Sequence, residues 1–296
     1  MPELPEVETI VRDLRGDLLG RRLASIAMGP RPLRRPWVAK WEQDLKGRRI
    51  REIRRRGKWI LFVLDKEQYL IIHLGMTGQL RVMPTDEPLA DHTHLVLSLD
   101  KGRQQLRFRD VRRFGSATVL AAREQVDNFF RSAGLGPEPF ALEMDYWQAR
   151  LAATRRCLKA VLLDQSVVAG VGNIYADEAL FEARLHPARR ASDLRSPEAK
   201  RLREAIVVVL RRAIHRRGST IRNYVGGSGL KGQYQREFRV YGRTNEPCNR
   251  CGASITCVRL AGRSTHFCPA CQRSAGNGQP RIAGSHRRLR SNRGQG

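Results

Sequence analysis

The sequence predicts an α+β fold in which an antiparallel β-sandwich precedes a helical domain. Three observations predict it. Between about Ile50 and Leu120, short runs rich in leucine, β-branched and aromatic residues alternate with turn residues. After GLGPEPF (134–140) those runs stop, and apolar residues recur at helical spacing. Near the end of the chain, four cysteines fall in two CxxC pairs. With 296 residues, 41% of them apolar, the chain can build two domains, each with its own core.

The elements follow in order. The chain opens MPELPEVETI, and Val7, Ile10, Val11, Leu14 and Leu18 share one face of a helix expected over Pro2 to Leu19. Proline near the first turn has a preset φ, and Glu3, Glu6 and Glu8 suit the positive helix end. WILFVL (59–64), YLIIHL (69–74), HLVLSL (94–99), QLRFRD (105–110) and SATVL (116–120) read as strands, divided by DKE, PTDEPLAD and DKG. A helix is expected over 145–164, through Leu151, Leu158, Val161 and Leu162, and a second over 174–184. A third takes Ser196 as N-cap and Pro197 as its first residue, and runs through LREAIVVVLRRAI. YVGGSGLKGQYQ (224–235) is a glycine-rich loop. Residues 274–296, with five arginines and no acids, read as a disordered basic tail. The expected units are 1–133, a linker at 134–142, then 143–237, 238–273 and the tail 274–296.

Charge narrows the function. Lysine and arginine number 55 against 29 acids, a net charge of +26, which suits a polyanionic partner. The alternative, a generally basic surface, serves for individual arginines but less well for the whole imbalance. No apolar run approaches the ~20 residues of a membrane span, and the acidic start does not read as a secretory signal. A cytoplasmic location is expected, and a monomer is the default.

Cys248-x2-Cys251 and Cys268-x2-Cys271 have the spacing of a four-thiolate Zn²⁺ site. Four thiolates fill a tetrahedral ion, so the zinc is structural, and a segment with so few apolar residues needs it to fold. Seven arginines against two glutamates lie between Arg236 and Arg273, which suits a β-hairpin finger against a phosphate backbone. Cys157 reads as a core residue, and Cys257 has no assigned role. In AGVGNIYADEAL (169–180), Gly170 and Gly172 relax the backbone ahead of a helix with Asn173 near its N-cap. Free amides at such a turn can hold a phosphate, although asparagine there is often only a cap. At the amino terminus, removal of Met1 would expose Pro2 as a secondary amine. An α-amino group has a pKa of ~8, so part of it is neutral near pH 7 and able to attack a sugar carbon. Glu3 beside it could move protons. On composition alone, Pro-Glu is simply a helix start.

PELPEVET, RRRGKWI, HLGMTGQL, DVRRFGSA, AGVGNIYADE, VYGR and the finger ending GRSTHFCPAC together resemble the bacterial formamidopyrimidine-DNA glycosylase family, from Pro2 to Cys271. The resemblance implies a helix–two-turn–helix DNA-binding domain at 143–237 and a catalytic sandwich at 1–133. It implies a base-excision repair enzyme that flips an oxidised purine out of damaged double-stranded DNA and cuts the strand by β,δ-elimination. Pro2 would be the nucleophile at C1′, Glu3 the general acid/base and Glu6 a supporting carboxylate. Lys58 would contact phosphate and aid catalysis, with Arg263, Asn173 and His73 as further phosphate contacts. Met76, Arg112 and Phe114 would fill the space left by the flipped base. The loop 224–235 would close over that base, with Thr220 to Tyr224 beside it. The favoured lesions would be 8-oxoguanine opposite cytosine and ring-opened formamidopyrimidines. One structural Zn²⁺ is the cofactor. Two rivals remain: an endonuclease VIII-like glycosylase for oxidised pyrimidines, whose chains usually begin PEGPE, and a noncatalytic zinc-finger DNA-binding protein.

Overall fold

Helix α1 (Leu4–Leu18) opens a structure, a computed structural model, that describes residues 2–220, 226–227 and 229–273. Glu3 precedes the helix with extended backbone, and the Glu6 carboxylate accepts its N–H at 2.9 Å. Strand β1 (Leu23–Met28), short helix α2 (Lys40–Leu45) and strands β2 (Ile50–Arg56), β3 (Trp59–Leu64), β4 (Tyr69–His73), β5 (Gly78–Pro84), β6 (Thr93–Leu99), β7 (Gln104–Asp110) and β8 (Ser116–Leu120) follow. They form two four-stranded antiparallel sheets, ordered β1-β6-β7-β5 and β2-β3-β4-β8. The expected α+β sandwich is present. Sequence reading found no strand at β1, β2 or β5, and each of the three lies at a sheet edge. Edge strands tolerate polar residues, which hides them in a search for apolar runs. In β2 (IREIRRR) an irregularity between Ile50 and Glu52 turns both Ile50 and Ile53 inward, so no clean alternation survives.

The apolar face of α1 closes the sandwich. Val7, Ile10, Val11, Leu14 and Leu18 are fully buried among strand residues such as Ile53, Phe62, Leu80 and Phe108. Burial of such side chains stabilises by roughly 1.5–3 kcal/mol each. Leu4, one turn earlier, belongs to the helical core instead. The first turn of α1 therefore crosses from one core to the other.

Helix α3 (Arg123–Ser132) covers the outer face of the second sheet through Val126, Phe129 and Phe130. The helical core then gathers α4 (Met144–Ala152), α5 (Leu158–Leu163), α6 (Asn173–Glu182) and α7 (Ser196–His215). The single helix expected over 145–164 is two. Its break at 153–157 pairs with another segment: Ala191 donates to the Arg156 carbonyl at 2.9 Å, and Leu158 to that of Arg189 at 2.9 Å. Cys157 sits in this break, half-buried rather than in the core, because its backbone pairs there with Arg190. The α7 N-cap is Arg195 rather than Ser196, since Glu198 reaches back to the Arg195 N–H at 2.9 Å. Strands β9 (Thr256–Leu260) and β10 (Arg263–Phe267) form the antiparallel hairpin of the cysteine module, turning at Ala261–Gly262 with φ of 48° and 72°. Among the described residues, no helix is long and apolar enough to cross a membrane.

Candidate functional site

The site is built where α1, the β2–β3 turn and the start of α6 meet. Pro2 is buried there. The carboxylate of Glu3 accepts the N–H groups of Ile174 and Tyr175 at 3.0 and 3.4 Å. The free amides that sequence reading offered to a phosphate are thus taken by Glu3. Gly170 and Gly172 make this possible. A Cβ on Gly172 would lie 2.3 Å from the Glu3 carboxyl carbon, and one on Gly170 2.6 Å from the Leu4 side chain. The turn is glycine-rich because the start of α1 presses on it, and the Leu4 N–H donates to the Gly170 carbonyl at 3.0 Å.

Glu6 lies beneath Glu3, fully enclosed. It accepts the Tyr175 hydroxyl at 2.5 Å, the Ser219 N–H at 2.8 Å and the Ser219 hydroxyl at 3.1 Å. Burial, and then the neighbouring charge of Glu3, push its carboxyl up to about 7 against those donors. A carboxyl whose folded pKa exceeds its unfolded value of 4.5 favours the fold when protonated. That contribution is complete below pH 4.5, is lost as pH rises to about 7, and is worth about 3 kcal/mol. Unfolding of wild type and Glu6→Gln compared from pH 5 to pH 8 is expected to show a downward stability slope in wild type that the variant lacks. Parallel pH profiles would refute a raised Glu6 pKa.

Lys58 follows Gly57 in the β2–β3 turn and is 7% exposed. Burial lowers its pKa, the carboxylates of Glu3 and Glu6 oppose the drop, and the charge of Arg263 adds to it. The structure thus brings Lys58, Glu3, Glu6 and Arg263 into one electrostatic neighbourhood. Arg55 and Arg56, just before Lys58, are committed to holding this turn. Arg55 donates to Glu8 at 3.0 Å and to Glu138 at 2.7 Å. Glu138 also accepts the Gly57 N–H at 2.6 Å, and Arg56 donates to the Gly136 carbonyl at 2.6 Å. Sequence reading treated Glu138 as linker. Nothing in GLGPEPF distinguished it, because its partners lie about eighty positions away.

A second group surrounds an open cleft of about 660 Å³ lined by Leu33, Arg34, His73, Met76, Arg112 and Phe114 among others. Burial, with the cations of Lys58, Arg34 and Arg35, pushes His73 down to about 4. Its Nδ1 accepts the Gly75 N–H at 3.1 Å, so the neutral ring carries its proton on Nε2 and can donate it. Met76 is half-buried, Arg112 and Phe114 are exposed, and the Arg112 guanidinium lies 4.7 Å from the Phe114 ring centre. The loops at 74–77 and 110–115 meet backbone to backbone at Gly75, where a Cβ (φ +60°) would fall 2.5 Å from the Gly115 nitrogen.

The cysteine module is fastened to α6. The sulfurs of Cys248, Cys251, Cys268 and Cys271 all lie within 4.8 Å of one another. Tetrahedral zinc with bonds of ≈2.3 Å requires sulfurs about 3.8 Å apart. The pairs Cys251–Cys268 and Cys248–Cys271, at 3.5 and 4.0 Å, bracket that value. The residues fit one structural Zn²⁺. Arg250 and Cys271 each donate a backbone N–H to a cysteine sulfur at 3.4 Å, as suits thiolates. Asp177 and Glu178, unremarked in the sequence, hold the module. Asp177 accepts the buried Lys159 ammonium at 2.5 Å and the His266 N–H at 2.9 Å. Glu178 accepts the N–H groups of Arg239, Val240 and Tyr241 at 2.9–3.0 Å. Asn173 spans the same seam, its Nδ2 donating to the Ser264 carbonyl at 3.1 Å beside exposed Arg263. Cys257 is exposed on β9.

Thr220 accepts the Gly232 N–H at 2.8 Å and donates its own N–H to Gln235 at 3.0 Å. Residues 221–225, 228 and the tail 274–296 lie outside the described residues, and with them the expectations for most of Thr220–Tyr224, for part of the loop 224–235 and for the tail; the end of that loop is a 3-10 turn at Tyr234–Glu237.

Comparison with known proteins agrees along the chain. The model of the formamidopyrimidine-DNA glycosylase N-terminal domain matches residues 1–117, that of the formamidopyrimidine-DNA glycosylase H2TH domain matches 135–225, and that of a zinc finger found in FPG and IleRS matches 245–273. The formamidopyrimidine-DNA glycosylase of Desulforamulus reducens is 45% identical over 278 residues, covering 93% of this chain and all of that protein. The Heliobacterium modesticaldum enzyme is 46% identical over 284 residues, covering 92% and 100%. The Lactococcus lactis Fpg in complex with abasic-site DNA superimposes with a TM-score of 0.86 at 37% identity, covering 92% of this chain and all of that one. A mutant of the same Fpg bound to Fapy-dG DNA gives the same values.

Proposed function

This chain belongs to the formamidopyrimidine-DNA glycosylase family, and on that premise we propose that it excises oxidised purines and cuts the strand through an iminium at Pro2. The observation that carries the reading is the seating of the amino terminus. Pro2 is buried at the domain junction, with Glu3 fixed to α6 on one side and Lys58 lowered in pKa on the other.

With Met1 removed, the neutral secondary amine of Pro2 attacks C1′ of a flipped nucleotide and the bond from C1′ to the base breaks. Glu3 takes the proton from the Pro2 nitrogen and returns it to O4′ as the sugar ring opens, leaving a cationic iminium, while the departed base takes a proton from solvent. The iminium draws electrons from the C2′–H bond. Loss of that proton expels the 3′ phosphate, and a second elimination expels the 5′ phosphate. Glu6 holds the start of α1 and supports Glu3. Lys58, Arg263, Asn173 and His73 receive the flanking phosphates, His73 as a neutral donor rather than a cation. Met76, Arg112 and Phe114 enter the vacated space, and Arg112 reads the orphaned base. The one structural Zn²⁺ holds the hairpin that presents Arg263.

Borohydride trapping tests this directly, because borohydride reduces an iminium to a stable amine. A duplex with one 8-oxoguanine opposite cytosine is expected to give a covalent protein–DNA band. A band only with an oxidised pyrimidine would favour the endonuclease VIII-like activity. Tight binding without any band, after mass spectrometry has verified loss of Met1, would favour a noncatalytic DNA-binding protein.

A further inference from the structure

Asp110 ends β7 with a fully buried carboxylate that forms no salt bridge among the described residues. Its oxygens are divided between the two loops that carry Met76 and Phe114. Oδ1 accepts the Thr77 hydroxyl at 2.5 Å, and Oδ2 accepts the Gly115 N–H at 2.7 Å. Thr77 in turn accepts the Arg112 N–H at 3.1 Å. The direction of this chain is forced: an amide can only donate, so the Thr77 oxygen takes the Arg112 proton and its own proton goes to Asp110. The Asp110 carbonyl accepts from Arg113 at 3.2 Å and lies 2.9 Å from His94 Nε2. The two bonds of Thr77 hold the 74–77 loop against the 110–115 loop, and the bonds of Gly115 and Arg113 to Asp110 close the second loop on itself, where Gly75 and Gly115 leave no space for a Cβ.

We propose that Asp110, acting through Thr77, is a positioning residue that joins Met76, Arg112 and Phe114 into one wedge assembled before DNA arrives, and that it thereby sets selectivity for the base opposite the lesion. The inference rests on the function proposed above. A buried carboxylate costs several kcal/mol unless its lone pairs are filled. Two loops that only needed to pack could meet with apolar side chains. A carboxylate that takes one donor from each loop, and a third through Thr77, fixes their spacing to within a hydrogen bond. The Arg112 backbone is the part so fixed. A guanidinium that distinguishes cytosine from adenine needs that precision, because a misplaced donor serves either base equally.

The test uses Thr77→Val, which keeps the side-chain volume and removes the hydroxyl, and Thr77→Ser, which restores it. Single-turnover excision of 8-oxoguanine is measured opposite cytosine and opposite adenine. Borohydride trapping on a preformed abasic site, where no base must be expelled, is measured in parallel. Thr77→Val is expected to reduce the cytosine-over-adenine preference about tenfold, the scale of one well-placed base contact. Abasic-site trapping is expected to stay near wild type, and Thr77→Ser to recover the preference. An unchanged preference in Thr77→Val overturns the proposal, as does an equal fall on all three substrates, which would mark a general loss of structure. If Thr77→Val does not fold, Thr77→Ser alone decides, since failure to retain the wild-type preference with the hydroxyl present overturns it. Wild type that traps no abasic site at all would overturn the functional reading itself, and this inference with it.

Discussion

Pro2→Gly is expected to lower both the borohydride-trapped adduct and the rate of base release by about 10³-fold or more, the scale of removing a catalytic nucleophile. Glycine keeps an α-amine, so the reason is not simple absence of nitrogen. A secondary amine yields an iminium with a fixed positive charge. A primary amine yields an imine that must also be protonated before it can draw electrons from the sugar. Glycine also lacks the ring that fixes the nitrogen about the N–Cα bond, so the amine is no longer aimed. The fold should survive. Helix α1 is anchored by the next two residues, since Glu3 is held by α6 and Leu4 donates to Gly170. Duplex affinity should therefore fall by less than about threefold, because phosphate contacts set it. Single-turnover excision, trapping and equilibrium binding of one preparation separate the two effects. Excision at the wild-type rate would remove Pro2 from the mechanism.

Cys268→Ser is the second large effect. Cys268 is fully buried and closes the thiolate set with Cys248, Cys251 and Cys271. A serine hydroxyl does not replace a thiolate on zinc, and little else folds this module. Its apolar core is confined to Val240, Cys248, Ile255 and Cys268 against Phe181 of α6. The variant should lose its one equivalent of zinc, read by metal analysis of the purified protein. The β9–β10 hairpin would then no longer present Arg263, and affinity for a lesion duplex should fall about 10- to 100-fold, as for one or two charge-assisted hydrogen bonds. The sandwich should keep its own unfolding transition, since its core contains no finger residue. Zinc loss with unchanged affinity would show that the finger does not grip DNA.

Arg55 and Glu6 show how far local sequence reaches. In RRRGKWI the sequence assigned a role to Lys58 alone, yet Arg55 is 8% exposed and lies between Glu8 and Glu138. The acidic start PELPEVE reads as a helix beginning, and Glu6 does cap Glu3. What raises its pKa is burial, and then the charge of Glu3, against the hydrogen bonds of Tyr175 and Ser219, which come from positions more than 160 residues away. AGVGN announced a special turn, but the acid that fills it is Glu3 rather than an external phosphate.

By itself, the sequence determined what depends on local pattern: the strands with apolar runs, the amphipathic α1, the four thiolates at zinc spacing and the residue types grouped in each motif. These follow from periodicity and ligand spacing, which a short stretch carries whole. Only the tertiary structure decided what depends on distant partners. It split the 145–164 helix, because 153–157 pairs with 189–192. It supplied three edge strands whose polar residues hid them. It joined Glu3 to α6, Glu138 to the Lys58 turn, and Asp110 to Thr77 and Gly115. Hydrogen bonds and burial act over a few ångströms of space whatever the separation along the chain, so the chemistry of a residue was legible early and its environment only after folding.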